Sequence, residues 1–565
     1  MSLDIIELTR ARESRAAIEK LYIEMRHIFN SGSYSPSNIS GKVLSEALHT
    51  LRPEIYGSIT DMEKVELNGL VYVMERLPKG IEECRFIRLI SDEGYSNSGF
   101  EVIIPAKRRR NCYKVDRDIM LIEVTRGRSE IYDILTHLTF MFNEAAKIRL
   151  HAFDKQGNKT KEWEQLEKLV QGQVTIDEHN RDLAFSYLSN LLGRTFEQTK
   201  QAYFRFEETA PQNNGLFHIV YWLGKVAHAA EFKKEQIQIS FTPTLRDRIG
   251  HHIHGEQWAN NIKKHLIEHN LIDRPIHIIS ANMHSVMNGL CAVSALKEEF
   301  PAHKSVSDLA MELSQSNNKS LNSKVRLHAE NCGMLLLPDT TGTNLAVQIF
   351  DTTLLDLNNL PSEVKADKKY IKEEKPVIIV MDYAFGEQAY ETMDELLKPY
   401  QNKNIQVKSI SIMGKAGILH GGKGDLMIPS AHVFEGTADN YPIENDFVKA
   451  DFEGFDLNVY EGPMISVLGT SLQNRDVLAY FRNSSWRAVG LEMEGAHYQK
   501  AIQAGSKIRK NVASDIIVRY AYYASDNPLI TGGTLASGSL GSVGVKPTYL
   551  ITTKILNKIL SPTSK

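Results

Sequence analysis

The sequence predicts an α/β fold over residues 271–565, preceded by a mainly helical α+β domain over residues 1–270. Three observations carry that expectation. Short apolar runs alternate with amphipathic stretches through the C-terminal half, which is the pattern of a mixed sheet covered by helices on both faces. Apolar positions recur at helical spacing through much of the N-terminal half. The chain is 565 residues long, more than one core supports, so two or three domains are expected.

In the N-terminal half, residues 4–30 and 60–76 read as amphipathic helices, and 84–125 contains β-rich runs such as Phe100 to Ile104 and Ile119 to Val124. Ile131 to Leu150 is a long helical stretch in which Ile134, Leu138, Phe142 and Ala145 recur about every four residues. Residues 152–180 are polar and read as a loop or exposed helix, and helical patterns resume over 183–232. In the C-terminal half, Ile276 to Ser280, Val377 to Met381 and Val407 to Met413 are strand-like. Amphipathic stretches follow at 285–298 and 387–399, and later runs span Ile465 to Leu468, Ala488 to Leu491 and Ile516 to Ala524.

Composition narrows the function classes. With 42% hydrophobic and 24% charged residues the chain reads as globular, and a formal net charge of -3 gives no electrostatic reason to expect a nucleic-acid partner. No apolar run reaches the roughly 18–20 residues that span a bilayer, so no membrane association is expected. Met1-Ser2-Leu3-Asp4 lacks a secretion-signal pattern. Cys84, Cys112, Cys291 and Cys332 form no CxxC pair, which suits a reducing compartment, so the expected location is cytoplasmic.

Several polar clusters invite functional readings that their surroundings weaken. Lys107-Arg108-Arg109-Arg110 reads as a solvated hairpin turn, with a phosphate-binding or regulatory patch as the alternative. His137, Glu144 and His151 share a helix stripe, and His228 and Glu231 form an H-x-x-E pair. No second copy of either motif lies nearby, so no metal site is expected there. His251, His252 and His254 read as a surface turn.

Chemistry concentrates in Glu492-Met493-Glu494-Gly495-Ala496 and, further along, Ser525-Asp526-Asn527-Pro528-Leu529. Both lie where an apolar β-like run gives way to a turn or helix, at the carboxyl ends of strands where open α/β sheets bind ligands. One carboxylate that grips sugar hydroxyls and one that protonates a leaving group suit glycosidic-bond chemistry.

These segments resemble the nucleoside phosphorylase and nucleosidase superfamily. Glu492 to Ala496 matches its E-M-E-[AG]-A signature, and Ser525-Asp526 its S-D motif. Ala384-Phe385-Gly386-Glu387-Gln388-Ala389 is similar to the G-I-G-x-x-x-A turn. Gly414-Lys415-Ala416-Gly417-Ile418-Leu419 with Gly424-Asp425-Leu426-Met427-Ile428-Pro429 is similar to G-x-A-G-G-L…G-D-V-V-I-P. Within the superfamily, Ser525 to Leu529 and the separate N-terminal domain most resemble the AMP nucleosidases. The resemblance covers roughly residues 274–560.

The resemblance implies hydrolysis of the N-glycosidic bond of a purine nucleotide or nucleoside, foremost AMP to adenine and ribose 5-phosphate. Asp526 would protonate the purine at N7, with Ser525 orienting it. Glu494 would hold the ribose hydroxyls and Met493 would floor the sugar. Glu492, Gly386, Gly414, Ala416 and Gly417 complete the expected binding set. No cofactor is implied. Superfamily members assemble as homo-oligomers, so one is expected here, with the N-terminal domain regulatory or oligomerising.

Two positions depart from the pattern. Phosphate-binding arginines of the phosphorylases are replaced by Ile412 and by Ala281-Asn282-Met283-His284-Ser285, which favours water as nucleophile. His284 falls where simple nucleosidases carry a water-activating Glu, and a neutral imidazole can accept that proton. Lys415 stands where small hydroxyl residues are common, at an expected glycine turn, and would suit a 5′-phosphate. Gly421-Gly422-Lys423-Gly424 adds anion-friendly backbone. A phosphate-dependent phosphorylase and a catalytically altered nucleotide-binding member stay open as alternatives.

Overall fold

The computed structural model describes residues 5–174, 180–209, 211–300, 305–314, 318–437, 439–469, 473–530 and 541–562. The expectations for Met1 to Asp4 and for 175–179 lie outside these residues. The chain forms two compact units, one of Thr9–His251 with Ser471–Asn474, the other of Met1–Leu8, His252–Thr470 and Arg475–Lys565. Among the described residues no helix is long and apolar enough to cross a membrane.

The N-terminal unit is mainly helical around one six-stranded sheet. Its centre is parallel: Phe86–Ile90 pairs with Ile119–Glu123 on one side and with Gln238–Phe241 on the other. The long helix Gly127–Ala152 follows the Ile119–Glu123 strand and buries Ile134, Leu138, Phe142 and Ala145, as its periodicity requires. Within 152–180 the helix Lys161–Val170 turns Trp163 and Leu166 inward.

The Lys107 to Arg110 run is not a solvated turn throughout. Lys107 and Arg109 are exposed, but Arg108 binds Asp133 bidentately at 2.7 and 2.8 Å. Arg110 is buried between Asp133, at 2.8 Å, and Glu130, at 3.3 Å. The two carboxylates lie on the following helix, where a buried guanidinium needs a paired anion. In the His137–Glu144–His151 stripe, Glu144 is held by its own unit. Glu144 takes the Glu66 N–H at 2.7 Å and pairs with Lys147 at 2.8 Å. His228 bonds the Gly157 carbonyl at 3.2 Å and packs on Phe153.

The C-terminal unit is α/β. Numbered within this unit, its strands are β1 (Ile276–Ser280), β2 (Met334–Leu337), β3 (Val347–Asp351), β4 (Val377–Met381), β5 (Val407–Ile418), β6 (Leu426–Phe434), β7 (Asn440–Pro442), β8 (Val459–Ser466), β9 (Gly490–Glu492) and β10 (Ile517–Asp526). Its first helix, α1 (Ile253–Glu268), belongs here rather than before a break at 270, because Trp258, Ile262 and Leu266 join this core. His254 is accordingly buried and bonds the Thr341 carbonyl, so it is no surface turn.

The sheet order is β7-β6-β8-β9-β5-β1-β4-β3-β2, with β10 pairing both β5 and β6. Strands β5, β10, β6, β8 and β9 therefore close into a ring, and β1 to β4 extend from it as an open sheet. Strand β5 serves both parts. Alternation along β4 sends Val377, Ile379 and Met381 to one apolar layer and Ile378 and Val380 to the other. Both layers are covered by helices, as a mixed sheet buried on both faces requires.

Candidate active site

The site is built where the sheet splits. From Val407 to Ile412 the edge of β5 pairs with β1, and at Gly417 and Ile418 it pairs with β9. Between those stretches, at Met413 to Ala416, no described strand covers that edge. Strands β1, β4, β5 and β10 run parallel and end around this gap, which is the switch-point position where α/β sheets take ligands. The Gly414 to Gly417 segment expected as a turn is thus continuous strand.

Asp526 is aimed by a bulge. Strand β10 runs in register with β5 up to Ala524 opposite Ala416, and then Gly417 faces Asp526. Ser525 is the extra residue, and a bulge of this kind re-aims the side chain beside it. Ser525 Oγ lies 3.1 Å from the Ala416 carbonyl and 2.5 Å from Asp526 Oδ1. A hydroxyl carries one proton. If Asp526 is protonated it can donate to Ser525 Oγ while Ser525 donates to Ala416, so the arrangement accommodates the acid form. Both side chains are buried.

Glu494 is aimed by its neighbour. Helix α2 (Met283–Ala295) follows β1, helix α6 (Gln388–Leu396) follows β4, and helix α8 (Gly495–Gln503) follows β9. At the start of α8, Glu492 accepts the Glu494 N–H at 2.5 Å and also the Gly495 N–H. Ser466, opposite Glu492 on β8, donates its hydroxyl to Glu492 and accepts the Ala496 N–H at 3.1 Å. Both Glu492 oxygens are thereby engaged with protein. Glu492, expected in the binding set, holds the first amides of the helix and fixes the turn that projects Glu494.

The Gly386 N–H then donates to Glu494 Oε1 at 2.9 Å. Burial lifts Glu494 to about 8, the negative Glu492 adds to the rise, and the Gly386 N–H and Lys415 oppose it. Burial also lifts Glu492 to about 7 against its hydrogen bonds. Gly495 is needed for close approach, since a Cβ there would sit 2.2 Å from His432 Nε2 and 2.6 Å from the Tyr522 hydroxyl.

His284 and Lys415 meet at a cleft of about 480 Å³, whose walls include Asn282, Asn322, Tyr523 and Tyr549. Lys415 pairs in register with Tyr523, so both side chains leave the same face of the sheet. His284 is exposed at the first turn of α2, its N–H capped by Asn282 at 2.9 Å. Gly414 lies beside the Tyr383 ring, and Met493 is buried. The structure thus joins Gly386 with Glu494, Ser525 with Asp526 and Ala416, and His284 with Lys415. The glycine-rich loop is not an open anion cradle. Gly422 N–H donates to Asp425 at 2.9 Å, and Gly424 N–H donates to the Ala524 carbonyl at 2.9 Å.

Sequence reasoning missed Ser466 and Tyr498. Ser466 ends an apolar run with no distinguishing neighbour. Tyr498, one helical turn past Glu494, reaches Ser280 Oγ at 3.0 Å and ties α8 to the end of β1.

Fold and site together define a mixed α/β protein with strand-end carboxylates around a sheet split. A family of unknown function, DUF6909, matches residues 42–303 and 307–561, and the chain belongs to that family. No curated protein matches the sequence. Solved structures similar to the chain include the 5′-methylthioadenosine/S-adenosyl homocysteine nucleosidase of Campylobacter jejuni. It is 9% identical, with a TM-score of 0.31, covering 51% of this chain and 98% of that one. AMP nucleosidase of Bacteroides thetaiotaomicron is 13% identical, with a TM-score of 0.30 and coverage of 55% and 99%. Futalosine hydrolase of Helicobacter pylori is 12% identical, with a TM-score of 0.30 and coverage of 51% and 97%.

Proposed function

We propose that the C-terminal unit hydrolyses the N-glycosidic bond of a purine nucleotide, foremost AMP, to free base and ribose 5-phosphate. The observation that carries this reading is the placing of two strand-end carboxylates on either side of Gly417. Asp526 faces that residue across one edge of β5. Leu491, which leads into Glu494, faces it across the other. Asp526 protonates N7 of the departing base, its carboxyl oriented by Ser525. Glu494 holds the ribose 2′- and 3′-hydroxyls and stabilises the positive charge that develops on the sugar. Ionised Glu494 is the form that does this, and the cationic sugar itself favours that ionisation. His284 takes a proton from the attacking water.

The lysine in the cleft supports a nucleotide over a nucleoside with an apolar 5′-group. Lys415 stands in that cleft, where its charge can meet a phosphate. Among the described residues lining that cleft there is no arginine, which supports water over phosphate as nucleophile.

The test is base release from AMP, adenosine and methylthioadenosine, each with and without phosphate, followed by chromatography. Release of adenine from AMP without phosphate is expected. Strict phosphate dependence would identify a phosphorylase instead, and tight AMP binding without turnover would identify a nucleotide-binding protein.

A further inference from the structure

We propose that Glu82, Glu83 and His218 of the N-terminal unit form a binding site for a divalent transition cation, with Zn²⁺ favoured by the donor set. The two glutamates sit on the short turn Ile81–Glu83, and His218 lies in the first turn of the helix Leu216–Phe232. One donor atom from each residue lies within 4.8 Å of the others. His218 Nε2 is 2.9 Å from Glu83 Oε1 and 3.6 Å from Glu82 Oε1. Zinc bonds to nitrogen and oxygen of about 2.1 Å put neighbouring ligands of one ion roughly 3.0–3.5 Å apart. The two separations from His218 are therefore already close to those of a coordination polyhedron.

A second observation points to a cation at this place. Glu82 is fully buried; its Oε1, the oxygen nearest His218, accepts from Asn214 Nδ2, while Oε2 of the same carboxylate has no hydrogen-bond partner. A buried carboxylate oxygen without a donor is costly, and native structures ordinarily satisfy such atoms with protein, water or an ion. The surrounding residues have the form of an outer shell. Lys114 Nζ takes Glu83 Oε2 at 2.7 Å and leaves Oε1 turned to His218, while Asn214 fixes the Glu82 carboxylate.

The site is closed behind Glu82 and open at His218, whose side chain is 33% exposed. Glu83 also lines a cleft of about 380 Å³ that includes Arg117, Trp222 and Lys225, so remaining coordination positions have a route to solvent. One imidazole with two carboxylates suits Zn²⁺ or a neighbouring first-row ion better than Ca²⁺ or Mg²⁺, which prefer all-oxygen shells.

The experiment is equilibrium dialysis of the full chain, stripped with a chelator, against Zn²⁺, Mg²⁺ or Ca²⁺, followed by elemental analysis. About one Zn²⁺ per chain is expected, with affinity falling roughly ten- to a hundredfold in His218→Ala and Glu82→Gln. In parallel, crystals of the unmodified chain soaked in Zn²⁺ should show an anomalous peak between the three side chains. Zinc binding unchanged in both variants, or no peak at that position, overturns the proposal and leaves a plain His218–Glu83 ion pair. The crystal arm decides the matter if either variant fails to fold.

Discussion

Gly386 and Glu494 lie far apart in sequence and are joined by one hydrogen bond, from the Gly386 N–H to Glu494 Oε1 at 2.9 Å. Gly386 holds a φ of +55°, in the left-handed region that a side chain disfavours. The bond therefore depends on this residue having no Cβ. Gly386→Ala should cost about 1–2 kcal/mol if the conformation is kept, or swing the amide off Glu494 if it relaxes. In the second case kcat/KM for AMP should fall at least about tenfold, a loss of roughly 1.4 kcal/mol in transition-state stabilisation; in the first the cost should appear as a lower Tm with the kinetics kept. A displaced amide with unchanged steady-state kinetics would show that Glu494 needs no such support.

Asp526 carries the proposed proton transfer, and removing a positioned general acid typically costs about 10²- to 10⁴-fold in rate. Asp526→Asn should therefore lose base release on that scale with little change in AMP binding. Ser525→Ala, which breaks the Ala416–Ser525–Asp526 hydrogen-bond chain but keeps the carboxyl, should lose less and shift the alkaline limb of the pH–rate profile, where a general acid loses its proton. Full activity in Asp526→Asn would remove Asp526 from the mechanism.

The two carboxylates were readable because each sits in a local motif at the end of an apolar run. Their aim was not. The bulge at Ser525 exists only because β10 slips against β5 beyond Ala416, and the gap at Met413 to Ala416 exists only because β1 leaves before β9 arrives. Both are registers between segments distant in sequence. The same limit explains Arg108 and Arg110, whose partner Asp133 lies on another element, and Glu492, whose second contact comes from Ser466 on β8. Periodicity marks which face of an element is apolar. It does not say which polar group a neighbouring element brings to meet it.

Glu494 and Glu492 also give stability a pH dependence. Burial lifts them to about 8 and about 7, above the ordinary carboxyl value of 4.5. The folded unit therefore keeps protons that the unfolded chain has already released, and it binds more protons between about pH 5 and 8. Stability must fall as pH rises through that window. Glu494→Gln removes one contributor, so its Tm should exceed that of the unmodified protein at pH 8 and match it near pH 5. Calorimetry across the window checks this. Parallel curves for the two proteins would mean Glu494 titrates near its ordinary value.

Lys415 separates substrates rather than reaction types. It is exposed, shares the cleft with His284, and lies close enough to Glu494 for its charge to oppose the carboxyl's upward shift. If it meets a 5′-phosphate, Lys415→Ala removes one charge-assisted contact, about 1.5–3 kcal/mol. KM for AMP should then rise roughly ten- to a hundredfold, while adenosine, which has no phosphate to lose, should change less than about threefold. Comparing the two substrates in one variant cancels any general damage to the fold. An equal loss on both would place Lys415 in the shared chemistry, acting through Glu494 rather than on the phosphate.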